Sequence, residues 1–230
     1  MDDLIFGAEQ AAQCEAWFDM EEGRRADRLE KALLLKLLVG FGEPGTLLEV
    51  GCGTGHFARW FKELGWKVVG LDISFPMLAE ARRRDRDMAL ALAEGTALPL
   101  ADSSWDVVAL ITVLEFVRDP AVALREALRV ARRGVLLGVL NRWSWLAAQR
   151  RIQGWFGPTP YDRARFLSAG DLRGMVGQAN LAVAGGLGSR RPVQFEVRTT
   201  LWPRWWFVSE SPLPWGGFLG MRVVSGHQEG

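Results

Sequence analysis

Three glycines at alternate positions stand between a buried apolar run and a helix. Residues Thr46 to His56 read T-L-L-E-V-G-C-G-T-G-H, and the apolar run Leu47 to Val50 passes directly into Gly51, Gly53 and Gly55. Phe57-Ala58-Arg59-Trp60-Phe61 then resumes with helical spacing. The pattern predicts a buried strand, a tight turn and a helix N-terminus. Glycine admits φ > 0 and lets a ligand lie against bare backbone. The helix start adds unpaired N–H groups and a partial positive charge. A nucleotide-like or carboxylate-bearing ligand suits such a turn.

Spacing narrows the ligand. The dinucleotide fingerprint is G-x-G-x-x-G, with its third glycine opening the helix against the strand. Here the order is G-x-G-x-G, His56 occupies the third dinucleotide position, and Glu49 lies two positions before the first glycine. The stretch Glu49-Val50-Gly51-Cys52-Gly53-Thr54-Gly55 closely resembles motif I of the class I S-adenosylmethionine-dependent methyltransferases. That resemblance implies S-adenosylmethionine as cofactor and S-adenosylhomocysteine as product.

Lys67 to Asp72 is a short β-rich run ending in an acid 21 residues after Gly51. In a doubly wound sheet, a carboxylate at the tip of strand two meets the ribose hydroxyls of a bound nucleoside. NAD and S-adenosylmethionine share this geometry, so Asp72 supports a nucleoside without choosing between them. Capping the helix that begins near Phe75-Pro76 is its competing role.

Further strands are expected at Met88 to Ala93, Asp106 to Ile111 and Gly134 to Leu140, with a helix from Ala121 to Arg132. This alternation argues for βαβ units and a parallel sheet. The expected fold is α/β: a Rossmann-like, doubly wound, mainly parallel seven-stranded sheet. A helical preface precedes it and an antiparallel strand pair closes it. The preface comprises a helix over 8–21, an interruption at Gly23, and a second helix from Arg24 to Val39. Trp17 on the first helix suits either a lid over the ligand or core packing.

The resemblance extends nearly continuously over residues 47–140. The runs EGTALPL, SSWDVV, ITVLEFVRDP and EALRVARRGVLL are similar to the small-molecule branch that includes the ubiquinone and menaquinone methyltransferases. It implies that Glu94 contacts the adenine amine, with Gly95 and Thr96 offering backbone groups. Ile73 packs against the adenine ring, joined by Met77. Main chain at Thr112, Val113 and Leu114 runs beside the methionine part, together with Glu49, Gly51, Cys52, Gly53, Gly55 and His56. Phe116 stands where many relatives carry histidine.

Beyond residue 140 the resemblance fades. Arg142 to Phe156 reads as an amphipathic helix or lid, and Asp171 to Asn180 as a helix capped by Ser168 or Asp171. Leu181 to Leu187 and Trp215 to Val224 are the expected closing strand pair, with the Trp202–Trp206 insert between them. No repeat or linker divides the 230 residues, so one domain is expected: preface 1–45, cofactor-binding core 46–140, lid and closing strands 141–230.

Methyl transfer from a sulfonium is an in-line displacement in which the protein binds, aligns and excludes water. Candidate bases are few. His56 and Tyr161 are the catalytic candidates, with His227 near the C-terminus and Arg163 and Arg165 in the lid segment. Packing at the helix N-terminus is the competing role for His56. Cys14 and Cys52 form no disulfide framework, no metal-ligand cluster is evident, and Cys52 suits packing inside the turn.

Net charge is +1, yet residues 1–140 hold 17 basic and 22 acidic side chains, whereas 141–230 hold 11 arginines and 5 acids. Seven of the eleven tryptophans share that last segment. Arginine with tryptophan suits an anionic or aromatic substrate, a membrane surface, or a solvated face around an aromatic core. The chain lacks the basic balance of a nucleic-acid binder, a [DN]-P-P-[YF] motif and a Pro-Cys nucleophile. No apolar run approaches the ~18 residues a membrane span needs, and the acidic start Met1-Asp2-Asp3 is unlike a signal peptide. These features point to a cytoplasmic enzyme acting on a small, aromatic or lipophilic acceptor. A non-catalytic S-adenosylmethionine-binding or regulatory protein, associated with a membrane surface, is the alternative.

Overall fold

A computed structural model describes residues 6–144, 164–185, 193–200, 210–211 and 215–225. Helices α1 (Ala8–Asp19) and α2 (Glu21–Val39) precede the first strand. Then β1 (Thr46–Val50), α3 (His56–Glu63), β2 (Lys67–Asp72), α4 (Phe75–Arg84) and β3 (Ala89–Leu92) alternate. They are followed by β4 (Trp105–Ile111), α5 (Pro120–Val130), β5 (Ala131–Leu140), α6 (Ala169–Gly185), β6 (Val193–Thr200), β7 (Glu210–Ser211) and β8 (Phe218–Ser225).

All these strands join one sheet in the order β3-β2-β1-β4-β5-β8-β6-β7. The five strands from β3 to β5 pair in parallel, while β8, β6 and β7 are antiparallel. The expected seven-stranded, mainly parallel architecture is present, and the two-residue β7 extends its edge. Chain order reverses at β1, so β1 and β4 leave a crevice at their C-terminal ends, where open α/β sheets bind ligands.

Strand periodicity sets the two cores. Leu47, Val107, Ala109, Ile111 and Leu136 face α2 and α3, packing with Leu33, Leu37 and Phe61. Leu48, Val108, Leu110, Val135 and Leu137 face α5 and α6, meeting Leu124, Leu128, Leu172 and Val176. Alternate residues of one strand therefore serve opposite layers, as a sheet covered on both faces requires.

Four expectations need correction. The interruption of the preface lies at Met20, and Gly23 sits buried inside α2. A Cβ at residue 23 would lie 1.9 Å from the Trp17 carbonyl oxygen, so glycine serves close helix approach there rather than termination. Residues 181–185 of the expected strand at Leu181 to Leu187 are helical, because α6 continues through Gly185 and places Leu172, Val176 and Ala179 against the α5 layer; 186–187 lie outside the described residues. The strand paired with β8 is Val193–Thr200, and β8 itself starts at Phe218. Finally, the cap of α4 is Ser74, whose Oγ accepts from Met77 N at 3.2 Å, and not Asp72. The expected capping of α6 holds: Ser168 and Asp171 exchange hydrogen bonds through side chain and backbone.

The Arg142–Phe156 lid beyond Ser144, Tyr161, Arg163, the Trp202–Trp206 insert and His227 lie outside the described residues. Among the described residues no helix is long and apolar enough to cross a membrane, and no cluster of three or more His, Cys, Asp or Glu could hold a metal.

Candidate active site

Gly51, Gly53 and Gly55 all take left-handed backbone, with φ of 72°, 53° and 76°. Their surroundings differ. A Cβ at Gly51 would lie 2.5 Å from Val113 Cγ2, so this glycine lets the turn press against the loop after β4. A Cβ at Gly55 would crowd Met88 and Ala81. At Gly53 it would meet nothing nearer than Met77 Sδ at 4.0 Å, which leaves that face of the turn open toward a ligand.

The turn is ordered from within. Gly51 N and Cys52 N both donate to Leu71 O, at 2.7 and 2.9 Å, and Gly55 N donates to Cys52 O. Gly53 N donates to Asp72 Oδ2 at 2.8 Å, while Asp72 Oδ1 accepts from Ser74 N at 2.8 Å. Arg59 supports the turn from α3, donating to Thr54 O at 2.7 Å. The Cys52 side chain is buried against Gly70 of β2, where it packs inside the turn.

Two acids shape the electrostatics. Burial, then the nearby Asp72 charge, pushes the Glu49 carboxyl well above the ordinary carboxylate range. Its Oε2 is buried with no hydrogen-bond partner. Burial also raises Asp72, against the opposing pull of the Ser74 and Gly53 amides.

The other expected nucleoside positions converge on the same edge. Ala93 N donates to Asp72 O, placing Glu94 beside the tip of β2. Glu94 is exposed and accepts from Thr96 Oγ1 at 2.6 Å. Gly95 lies over the end of β1, where a Cβ would come 2.9 Å from Val50. Ile73 is exposed next to Asp72, whereas Met77 is buried beneath the turn. Thr112 holds an unusual φ of 52° and donates its amide to Gly138 O. Leu114 is fully buried, so only its main chain is open to a ligand role.

His56 is tied to the preface. Its ring stacks on Phe18, with centroids 3.6 Å apart, and its Nε2 lies 2.6 Å from Asp27 Oδ1. Burial raises the Asp27 carboxyl, but the hydrogen bonds with His56 and Lys31 outweigh it and hold the acid below its ordinary range. Trp17 meets Phe18 edge-to-face, so Phe18 is the preface ring next to the glycine turn. Arg165 is exposed, and its amide donates to Glu115 O.

A methyltransferase-domain family model matches residues 48–139. An uncharacterized protein of Methanocaldococcus jannaschii is 33% identical over 171 residues, covering 72% of this chain and 76% of its own. The chain belongs to the class I S-adenosylmethionine-dependent methyltransferases. An uncharacterized protein of Mycobacterium tuberculosis is 36% identical over 178 residues, 75% of this chain, and the chain spans 59% of that relative's length. The methyltransferase fold itself recurs in a solved Thermotoga maritima structure described as an S-adenosylmethionine-dependent methyltransferase and possible histamine N-methyltransferase. That match has TM-score 0.71 at 24% identity and covers 95% of this chain and 98% of the other.

Three residues of the site were not singled out from the sequence. Ser74 is almost fully buried and joins Asp72, Met77 and Phe6. The Ser-Phe-Pro start of α4 marks it as a helix cap, and a cap reading would have found it. Asp27 and Glu115 lie far from the turn in sequence, and nothing local distinguishes them.

Proposed function

We propose that the crevice binds S-adenosylmethionine and that the chain directs its methyl group onto a small organic acceptor of aromatic or lipophilic character. One observation carries the choice of ligand. The Gly51, Cys52 and Gly53 amides donate inward, to Leu71 O and Asp72, so the turn does not offer them to a pyrophosphate as a dinucleotide loop does. The open face at Gly53 and the unpartnered Glu49 Oε2 fit a ligand lying along the turn instead.

In this reading Asp72 takes the ribose hydroxyls. Glu94, Gly95 and Thr96 meet the adenine edge, and Ile73 and Met77 its face. Glu49 to Gly55 and Thr112 to Leu114 border the methionine part, while the His56 ring is taken up by Asp27 and Phe18. Bound there, S-adenosylmethionine supplies an electrophilic methyl carbon. The chain contributes alignment and exclusion of water. Among the described residues, a base for the acceptor is hard to find: His56 is held by Asp27 and Phe18, and Glu115 is buried. That favours an acceptor whose nucleophile ionises readily, such as an enolate, phenolate or thiolate.

Calorimetric titration with S-adenosylmethionine, S-adenosylhomocysteine and NAD tests the donor. Binding of the first two and not the third is expected; NAD binding alone overturns the reading. Transfer of a radiolabelled methyl group to phenols or thiols in preference to amines tests the acceptor, and transfer confined to amines overturns that part.

A further inference from the structure

Phe6, two residues ahead of α1, touches both sides of the crevice. On the β2 side, the Phe6 carbonyl accepts from Ser74 Oγ at 2.6 Å. On the β4 side, the Phe6 ring packs edge-to-face on Phe116, with centroids 5.1 Å apart and planes at 75°. Neither anchor is an isolated surface contact. Ser74 donates its amide to Asp72 and caps α4, and Asp72 in turn holds Gly53. Phe116 closes the turn after β4, its amide donating to Val113 O, and Val113 is the residue pressed against Gly51. Phe6 is thus joined through one intermediary to each wall of the crevice.

The Phe116 contact differs from the polar and ring contacts that α1 and the start of α2 make. Glu15 pairs with Arg59 and Arg84, and Phe18 and Asp27 engage His56, all at α3 or α4. Only Phe6, among the described contacts of the preface, reaches the loop after β4. Its described contacts across the crevice are one hydrogen bond and one ring contact, which can break and remake without unfolding a helix.

We propose that Phe6 is a positioning residue of the donor site: by spanning Ser74 and Phe116 it closes the chain over the bound nucleoside, and it must release before the demethylated product leaves. The proposal rests on the S-adenosylmethionine reading above, and its test separates the two. Dissociation of tritiated S-adenosylhomocysteine from the full chain is measured by rapid filtration after a chase with unlabelled compound. Phe6→Ala and Ser74→Ala are each expected to speed dissociation about tenfold while changing association less than about threefold, as loss of a closing segment requires. Phe6→Tyr restores the slow rate, and the double variant is no faster than either single one because both break the same closure. A purely structural role lowers the melting temperature without this split of rates. Unchanged dissociation in Phe6→Ala and in the milder Phe6→Leu, with wild-type binding intact, overturns the closure. A wild-type chain that fails to bind S-adenosylhomocysteine overturns the donor reading and the closure with it.

Discussion

Gly53 donates its amide to Asp72 Oδ2 at 2.8 Å, tying the glycine turn after β1 to the tip of β2. The acid assigned to the ribose therefore also shapes the turn that borders the rest of the ligand. Asp72→Ala is expected to weaken S-adenosylmethionine binding by about 2–3 kcal/mol, through lost ribose contacts and a loosened turn. Asp72→Asn, which keeps one acceptor oxygen, should fall between. Calorimetry checks both, and wild-type affinity in Asp72→Ala would remove the ribose role.

Gly51→Ala combines two costs. The backbone stands at φ 72°, and the new Cβ would lie 2.5 Å from Val113 Cγ2. Left-handed strain and overpacking together are expected to cost about 2–4 kcal/mol of stability. Val113→Ala in the same chain should recover the steric share and leave the strain. Urea titrations of the two single variants and the double variant measure the coupling.

Glu115 makes stability depend on pH. It is fully buried, its Oε1 accepts from Leu140 N at 2.6 Å, its Oε2 has no partner, and burial raises it from 4.5 to about 7. Because the folded pKa lies above the unfolded one, the folded chain binds more protons between these values, so stability falls as pH rises from 4.5 to about 7. The loss attributable to this group is about 3 kcal/mol, complete above the folded pKa and absent below the unfolded one. Glu49, also raised by burial, adds slope of the same sign. Glu115→Gln should therefore flatten the urea-midpoint profile relative to wild type and be the more stable protein at pH 8. An identical slope in both would contradict this.

His56 tests how far the preface governs the turn. His56→Phe keeps a ring against Phe18 and removes the Asp27 contact. The partly exposed pair is expected to contribute about 1 kcal/mol, a fall of about 2–4 °C in melting temperature for a chain of this size. S-adenosylmethionine affinity should stay within about threefold of wild type, the range left by an interaction outside the ligand contacts. A loss of tenfold or more in affinity would instead make His56 a ligand contact.

The layout of the proposed nucleoside half of the site was legible because its signals are local. A glycine turn at a strand end and an acid at the tip of the next strand are separated by one βα unit. Parallel pairing of Glu49 with Gly70 and of Asp72 with Leu92 brings them to one edge. The misread segments are those where short apolar runs are ambiguous. Leu-Ala-Val-Ala at 181–184 fits strand or helix alike, and the helix already seated through Leu172, Val176 and Ala179, with Val183 partly buried at the next turn, decides for helix. The true partner strand did carry a signal: Val193, Phe195 and Val197 alternate with Gln194, Glu196 and Arg198.

From the sequence alone follow the doubly wound sheet, the left-handed glycine turn and the position of Asp72, since backbone sterics and strand periodicity act over a few residues. Tertiary structure alone decided where the turn's amides point and that His56 faces Asp27 and Phe18. It also decided that Phe6 reaches Phe116, 110 residues away in the chain. Such hydrogen bonds and ring contacts join elements distant in sequence, and their geometry exists only once the sheet has set the spacing between them.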